Sequence, residues 1–331
     1  MRLICSFSAL DGVGLDTVEH IEQHYVDERG LPTNILTWLQ ENFVKTGKLG
    51  LKSDKGGLYA PPVPGSRTKI FFLNLGLGEP LADKSSEEIM RSGEILEITA
   101  EDRGSKPIAL VRNQAMPDGI DICEGRMYWT NMGNPSENDG TVLSARLDGS
   151  DMQTIVTHGH VHTPKQIHID QEAKKLYFCD REGLRVMRCN LDGSELETIL
   201  QTSDRESEPD NAKAQHNWPV GVTVSKRLKR FFWTQKGASK ASDGRIYSAS
   251  LDMPSGGTAS NRRDIEVVQK GLPECIDLEM DDESGVLYWT DRGELPLGNT
   301  LNKKQVIGEA PPAEKKSGHQ IVSNTTAHDT A

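Results

Sequence analysis

The sequence has no long apolar run, no dense basic cluster and little aromatic content. Hydrophobic residues make up 35% of the 331 residues, and no stretch reaches the roughly 18 apolar residues of a membrane span. Lysine and arginine (38) are outnumbered by aspartate and glutamate (49), which gives a net charge of -11. We therefore predict no membrane span, and we do not expect nucleic acid among the partners.

Paired cysteines are also absent. The five cysteines are an odd number and form no Cys-x-x-Cys motif, which is unlike a disulfide framework or a zinc ribbon. The first ten residues, Met1 to Leu10, are not followed by a small-residue cleavage site, so no signal peptide is predicted. These features favour an intracellular protein, most simply a cytoplasmic one.

A dinucleotide-binding fingerprint is missing as well. The nearest match, Gly76 to Pro80, lacks the third glycine, and its proline disrupts the helix start that would hold a pyrophosphate. The sequence therefore predicts no catalytic residue and no cofactor-binding residue in this chain.

Residues 1–60 carry a helical pattern. A first helix is expected from about 17 to 28, with Asp16 and Glu19 in a capping-box spacing, and a second amphipathic run extends from Ile35 to Phe43. Two short helices make a small core, so this segment needs a partner surface.

The same segment resembles a known domain. The stretch Gly14-Leu15-Asp16-Thr17, two helices and the glycine-rich ending from Gly47 to Tyr59 are similar to the helical C-terminal domain of the 3-hydroxyacyl-CoA dehydrogenases. The resemblance implies subunit pairing and a wall of the acyl-CoA cleft. It also implies that NAD would bind only to a Rossmann domain supplied elsewhere.

From about residue 67 the pattern is that of short β-strands separated by turns. An aromatic motif recurs five times at intervals of 57, 49, 55 and 56 residues: Phe71 to Asn74, Tyr128 to Asn131, Tyr177 to Asp180, Phe232 to Gln235 and Tyr288 to Asp291. A proline-led alternation precedes four of the motifs, and a turn and short strands follow. Four strands per repeat is typical of a propeller blade.

These motifs resemble the YWTD blades of the low-density-lipoprotein-receptor class, which form six-bladed propellers. The predicted fold class is therefore mainly β: a YWTD-like propeller with five recognisable blades of an expected six, behind a short α-helical segment. We place a proline-rich linker at residues 61–66, the propeller at 67–310 and a polar, disordered tail at 311–331, with a possible strand at Gln320 to Val322. A sixth motif would fall beyond Ala331, so we expect a chain truncated at both ends relative to longer relatives.

Candidate site residues lie at the entrance to the predicted channel. The residue after each entry proline should face the channel mouth. With their neighbours, the candidates for ligand binding are Asp118, His162, Lys165, Gln166, Trp218 and Glu274. Two carboxylates at one opening could hold a hard cation or act as a base, as in a lactonase-like hydrolase.

A histidine string is the one weak candidate for a metal site. His158, His160 and His162 alternate, and alternate residues of a strand share a face. Gly159 and Pro164 make a loop the more natural structure there, so we assign no metal.

The sequence as a whole favours a binding or interaction protein that is not catalytic alone. Its propeller would present a face to a protein or a small molecule, and its helices would dock to a dehydrogenase-type subunit. One alternative is the rear portion of a 3-hydroxyacyl-CoA or L-gulonate dehydrogenase fused to a propeller, with NAD-dependent oxidoreductase function. A second is a metal-dependent, lactonase-like hydrolase.

Overall fold

The computed structural model begins with a small helical segment. Helix α1 (Leu15–Arg29) is followed by α2 (Asn34–Leu39), which continues as a π-helix (Gln40–Val44). The structure describes residues 14–30, 33–50, 53, 55–58, 68–77, 85–100, 106–204, 207, 210, 213–239, 241–294, 298–307 and 320–324. The predicted linker at 61–66 lies outside these residues.

Both helices occur where the sequence predicts them, but the predicted capping box is wrong. The N-cap of α1 is Gly14, with no side-chain cap, and Asp16 lies within the first turn. At this position its carboxylate interacts favourably with the partial positive charge of the helix start but does not cap the helix. The apolar faces of the two helices meet in a cluster that includes Leu15, Val18 and Leu39.

The described residues form five antiparallel sheets that follow one another along the chain. The first has three described strands, β1 (Lys69–Asn74), β2 (Gly93–Thr99) and β3 (Ile108–Gln114), with a short helix α3 (Ser86–Met90) after β1. The other four sheets have four strands each: β4 (Pro117–Cys123), β5 (Arg126–Asn131), β6 (Thr141–Arg146) and β7 (Gln153–Val156); β8 (Pro164–Asp170), β9 (Lys175–Asp180), β10 (Arg185–Asn190) and β11 (Glu197–Gln201); β12 (Pro219–Ser225), β13 (Arg230–Gln235), β14 (Gly244–Ser250) and β15 (Glu266–Leu272); β16 (Cys275–Asp281), β17 (Val286–Asp291), β18 (Thr300–Gln305) and β19 (Gln320–Asn324).

The sheets are arranged as propeller blades, which we number 1 to 5 in chain order. Strands β4, β8, β12 and β16 are innermost and contact one another in succession. The aromatic motif lies on the second strand of blades 2 to 5, and in blade 1 it lies on β1. The described part of blade 1 therefore starts at its second strand.

The motifs of blades 2 to 4 each contribute to two interfaces because successive side chains of a strand point to opposite faces. Tyr128 packs in the cluster between blades 2 and 3, whereas Trp129 packs between blades 1 and 2. Phe232 likewise faces blade 5, and Trp233 faces blade 3. The first aromatic residue thus faces the next blade and the second faces the preceding one, and four such interfaces form the core of the propeller.

The threonine of the motif connects neighbouring blades. Thr234 Oγ1 accepts the N–H of Gly221 at 2.8 Å within its own blade and donates to the carbonyl of Ile276 in blade 5 at 2.6 Å. In blade 3 the corresponding Cys179 places its Sγ 3.4 Å from the carbonyl of Gly221. The inter-blade contact therefore survives the change from threonine to cysteine, with a weaker donor.

The fourth residue of the motif bonds either within its own blade or back to the preceding one. Asp180 accepts the backbone N–H of Thr163, at the entry to β8, at 2.7 Å. Where asparagine replaces the aspartate, Asn131 Nδ2 donates to Gln114 Oε1 at 3.0 Å. Asn131 thus bonds back to blade 1, whereas the hydroxyl group of Thr234 bonds forward to the next blade.

The predicted strand near the C-terminus is confirmed. It is β19, Gln320–Asn324, which pairs with β18 and completes blade 5. The last blade therefore runs past residue 310, because a longer connection precedes its outer strand, whereas residues 325–331 of the predicted tail lie outside the described residues. The four cysteines in the described chain, Cys123, Cys179, Cys189 and Cys275, are buried and free. None of the described helices is long and apolar enough to cross a membrane.

Candidate functional site

A central cavity of about 750 Å³ opens between the inner strands. Its wall is formed mainly by β4, β8 and β16, and Phe72 and Leu73 of β1 complete it. This volume lies within the roughly 300 to 1,000 Å³ of typical small-molecule sites.

Four polar side chains occupy equivalent positions in consecutive inner strands. We call them the polar ring: Asp121, His168, Thr223 and Glu279. The position follows from a shift in register that recurs in β4, β8, β12 and β16 just after the strand begins. Asp121 accepts the N–H of Ile169 from the next blade at 2.7 Å, and Thr223 accepts that of Met280 at 3.2 Å. The ring therefore satisfies backbone groups at the edges of the inner strands.

His168 lies at the centre of this arrangement. Its Nδ1 is 3.6 Å from Glu279 Oε2 of blade 5 and 3.5 Å from Thr223 Oγ1 of blade 4. Burial of the imidazole lowers its pKa, but the hydrogen bond and charge of Glu279 and the charges of Asp121 and Asp170 outweigh this effect. The pKa of His168 consequently lies above its ordinary value, which favours the imidazolium.

Two carboxyl groups in the cavity have raised pKa values. Burial raises the pKa of Asp121 to about 6, although the charge of His168 and two backbone N–H groups act in the opposite direction. Burial, followed by the charge of Glu279, raises the pKa of Asp277 to about 7. These two aspartates can therefore gain or lose a proton near neutral pH.

The carboxylates at the far end of the cavity have ion-pair or hydrogen-bond partners of their own. Lys226 Nζ lies 3.1 Å from Asp170 Oδ1 and 3.2 Å from Glu172 Oε2. Asp282 accepts the backbone N–H of Lys226 at 2.7 Å and the hydroxyl of Ser225 at 2.5 Å. The carboxylates at this end are thus occupied by groups of blades 3 and 4.

Three of the predicted mouth residues form one group. Lys165 Nζ is paired with Asp118, and Gln166 Nε2 donates to the same carboxylate at 3.2 Å. Asp118 and Gln166 line the central cavity. Lys165 is buried beside Met132, with 3.1 Å between Nζ and Sδ.

The position assigned to Glu274 from its proline is two residues out of register. Cys275, not Pro273, is opposite Asp291 and takes the place that the entry proline has in blades 2 to 4. Glu274 therefore lies before β16, where Lys236 Nζ approaches it to 2.6 Å and Arg292 also binds it. Burial would raise the pKa of Glu274, but these two cations lower it to about 2. Their charges also oppose a bound cation.

The other two predicted mouth residues lie apart from the central cavity. Trp218 has the Arg181 guanidinium 4.8 Å and Lys236 Nζ 5.6 Å from its ring centroid. His162 is buried, with Nδ1 2.9 Å from Thr163 Oγ1, and lines a separate groove. The six predicted mouth residues thus lie at three separate places and do not form one ring.

The histidine string does not form a common centre. His158 Nδ1 contacts the carbonyl of Asp139 at 2.6 Å, His160 is exposed and His162 is directed toward Thr163. Within the described chain, no three histidine, cysteine, aspartate or glutamate side chains lie close enough to hold a metal ion. The loop that the glycine and proline indicate is present between β7 and β8.

The sequence did carry a signal for the polar ring. Asp121, His168 and Thr223 each follow the strand-entry proline by four positions, in strands whose flanking residues are apolar. Glu279 does not fit this spacing, because Pro273 lies before the start of its strand and not at it.

Comparison with known proteins supports both parts of the chain. The "3-hydroxyacyl-CoA dehydrogenase-like protein LAM1" of Cochliobolus heterostrophus is 45% identical over 304 residues, which cover 90% of this chain and 62% of that protein. The "Low-density lipoprotein receptor-related protein 1" of Pyricularia oryzae is 47% identical over 192 residues, covering 56% of this chain and 60% of that protein. The chain thus spans about three fifths of the length of these relatives. No family model matches it.

A solved structure confirms the fold class. The crystal structure of a nidogen/laminin complex superposes with a TM-score of 0.50 and 14% identity, covering 71% of this chain and 76% of that chain. The chain is a mainly β, YWTD-like propeller that follows a short helical segment.

Proposed function

We propose that the protein is a binding protein in which the propeller holds a small molecule in its central cavity and the helical segment docks to a dehydrogenase-type subunit. The central cavity carries the first half of this proposal. It combines a ligand-sized volume with convergent polar groups from three blades.

The charge distribution favours a ligand with one or two ammonium groups. Asp118 is paired with Lys165, and Asp170 with Lys226. The other carboxylates around the polar ring share a single imidazole as their cationic neighbour. A bound ammonium group would balance this excess negative charge and displace protons from the aspartates of raised pKa.

Titration calorimetry with putrescine, a diamine with two ammonium groups, at pH 7.5 tests the cavity. We expect saturable binding to the unaltered chain and at least tenfold weaker binding to Asp277→Asn. The matched control is Asp210→Asn, since the Asp210 side chain is 99% exposed and is not among the residues that line the cavity. No binding to the unaltered chain, or equal binding to Asp277→Asn, would reject the cavity as a site for such a ligand.

The docking role of the helices is supported by the resemblance of this segment and by the dehydrogenase-like name of the 45% identical relative. Ile21 on α1 is 43% exposed and offers an apolar contact. We expect the tagged chain, purified from its own cells at moderate salt, to retain an NAD-binding dehydrogenase in near-equal amount.

A pair of surface variants sharpens this test. Ile21→Glu should lose the dehydrogenase, whereas Met152→Glu, at a 56% exposed position of the propeller, should keep it. Retention by both variants, or no dehydrogenase with the unaltered chain, would exclude docking through α1.

A second candidate is that the chain is the rear portion of a dehydrogenase-propeller fusion. The name of the relative from Cochliobolus heterostrophus favours it, and 38% of that relative lies outside the alignment. Since such a fusion would carry its NAD site in the front portion, NADH should not raise the melting temperature of this chain, and a rise would contradict this candidate. No rise would mean that the nucleotide site is not in this chain.

A further inference from the structure

One face of blade 5 differs from its equivalents in the other blades. Tyr288 and Thr290 are directed away from blade 4, toward the position where the repeat pattern places another blade. We call this face the open flank. It also carries Leu301 and Lys303, because these residues are cross-strand partners of Thr290 and Tyr288.

The open flank is covered, although no further blade occurs in the described chain. Leu301 is only 4% exposed, yet it belongs to none of the four clusters between blades. On the same face, Lys303 Nζ lies 4.9 Å from the centroid of the Trp38 ring. Helix α2 also contacts β19, the outer strand of this blade.

The contact comes from the core of the helical segment. Trp38 packs edge to face with Phe43, with their ring centroids 4.9 Å apart, and both border the cluster formed by Leu15, Val18 and Leu39. A side chain anchored in this way presents a rigid aromatic surface to the ammonium group of Lys303.

We propose that the helical segment is the closing element of the propeller: it occupies the open flank, where a sixth blade would pack. Its Trp38 ring contacts Lys303 of blade 5 in place of a neighbouring sheet. The proposal is independent of whether the helices also bind another subunit.

Hydrogen exchange with mass spectrometry on the full chain tests this proposal. We expect Lys303→Glu, a change in the propeller, to speed amide exchange across α1 and α2 at least tenfold. The matched control is Lys270→Glu, which makes the same charge change on the exposed outer strand of blade 4.

A reciprocal variant guards against local misfolding of either part. Trp38→Ala should speed exchange in β17 and β18, whereas Trp38→Phe, which keeps an aromatic face for Lys303, should leave their exchange near that of the unaltered chain. The proposal is overturned if Lys303→Glu leaves α1 and α2 unchanged within twofold, or if Trp38→Ala leaves β17 and β18 unchanged.

Discussion

The two faces of blade 5 are built from the same repeat motif, but they have different surroundings. Toward blade 4, Trp289 and Leu287 are fully buried in a cluster with Phe232. On the open flank, Tyr288 and Thr290 are only partly buried. The motif thus provides a face that can pack against a neighbouring sheet, while the neighbour determines how much of that face is buried from water.

The largest expected difference is between the aromatic residues of the two kinds of face. Trp233→Ala should lower the free energy of unfolding by about 3 to 5 kcal/mol, because it opens a cavity in the closed interface between blades 3 and 4. Tyr288→Ala should cost less than half as much. Urea unfolding of both variants measures this, and equal losses would show that the open flank is packed as tightly as a closed interface.

Removing a buried charge next to blade 5 should have a comparable effect. Lys236 and Glu274 are both buried and paired at 2.6 Å. Lys236→Met leaves Glu274 with one cationic partner, Arg292, and should cost about 3 kcal/mol.

A rescue variant tests this explanation. Lys236→Met with Glu274→Leu should recover most of the stability in the same unfolding measurement, since no buried charge is left. If the double variant is as unstable as the single one, packing and not charge explains the loss.

The third prediction concerns an inner-strand position that differs among the blades. Asp277 stands where blades 2 and 4 have Gly119 and Gly221. Folding raises the pKa of Asp277 to about 7, so the folded state binds this proton more tightly than the unfolded state does. The resulting stabilisation is full below the ordinary pKa of an aspartate and is lost as the pH rises through about 7.

Asp277→Asn should therefore be more stable than the unaltered chain at pH 8, by about 1 to 3 kcal/mol. The gap should narrow as the pH falls to 4, and unfolding at a series of pH values measures it. A gap that is constant with pH would contradict a raised pKa.

The smallest effect is expected from the hydroxyl groups. Thr234→Val leaves the N–H of Gly221 and the carbonyl of Ile276 without their partner in a closed interface, and should cost about 1 to 2 kcal/mol. Thr290→Val affects the N–H of Asp277 on the open side and should cost about half as much. The ratio of the two losses in the free energy of unfolding, measured by urea unfolding, shows how closely the open flank resembles a closed interface.

The repeat made most of the fold predictable from the sequence. Aromatic residues at fixed intervals, such as Tyr128 and Trp129, locate the second strand of a blade, and the Asp-Gly turns locate the hairpins that follow it. The helical pattern was equally clear. The cap of α1 was not, since an acidic residue near a helix start can lie on either side of the boundary.

The candidate site was less predictable because it depends on register. A proline marks the strand start in three inner strands, but in blade 5 it precedes the start by two residues, which misplaced Glu274 and hid Glu279. The contact between His168 and Glu279 joins strands 111 residues apart, with a third strand between them. No local pattern encodes such a pairing.

The directions of the motif residues have a consequence for assembly. Thr234 and the first aromatic residue always face forward, and the second aromatic residue always faces back, so each interface joins unlike surfaces. The blades therefore join head to tail, and in the described chain the forward-facing surface of blade 5 packs against no further blade. A sheet with the backward-facing surface of a blade could pack against this surface. By holding Lys303 against Trp38, the helical segment blocks such an addition.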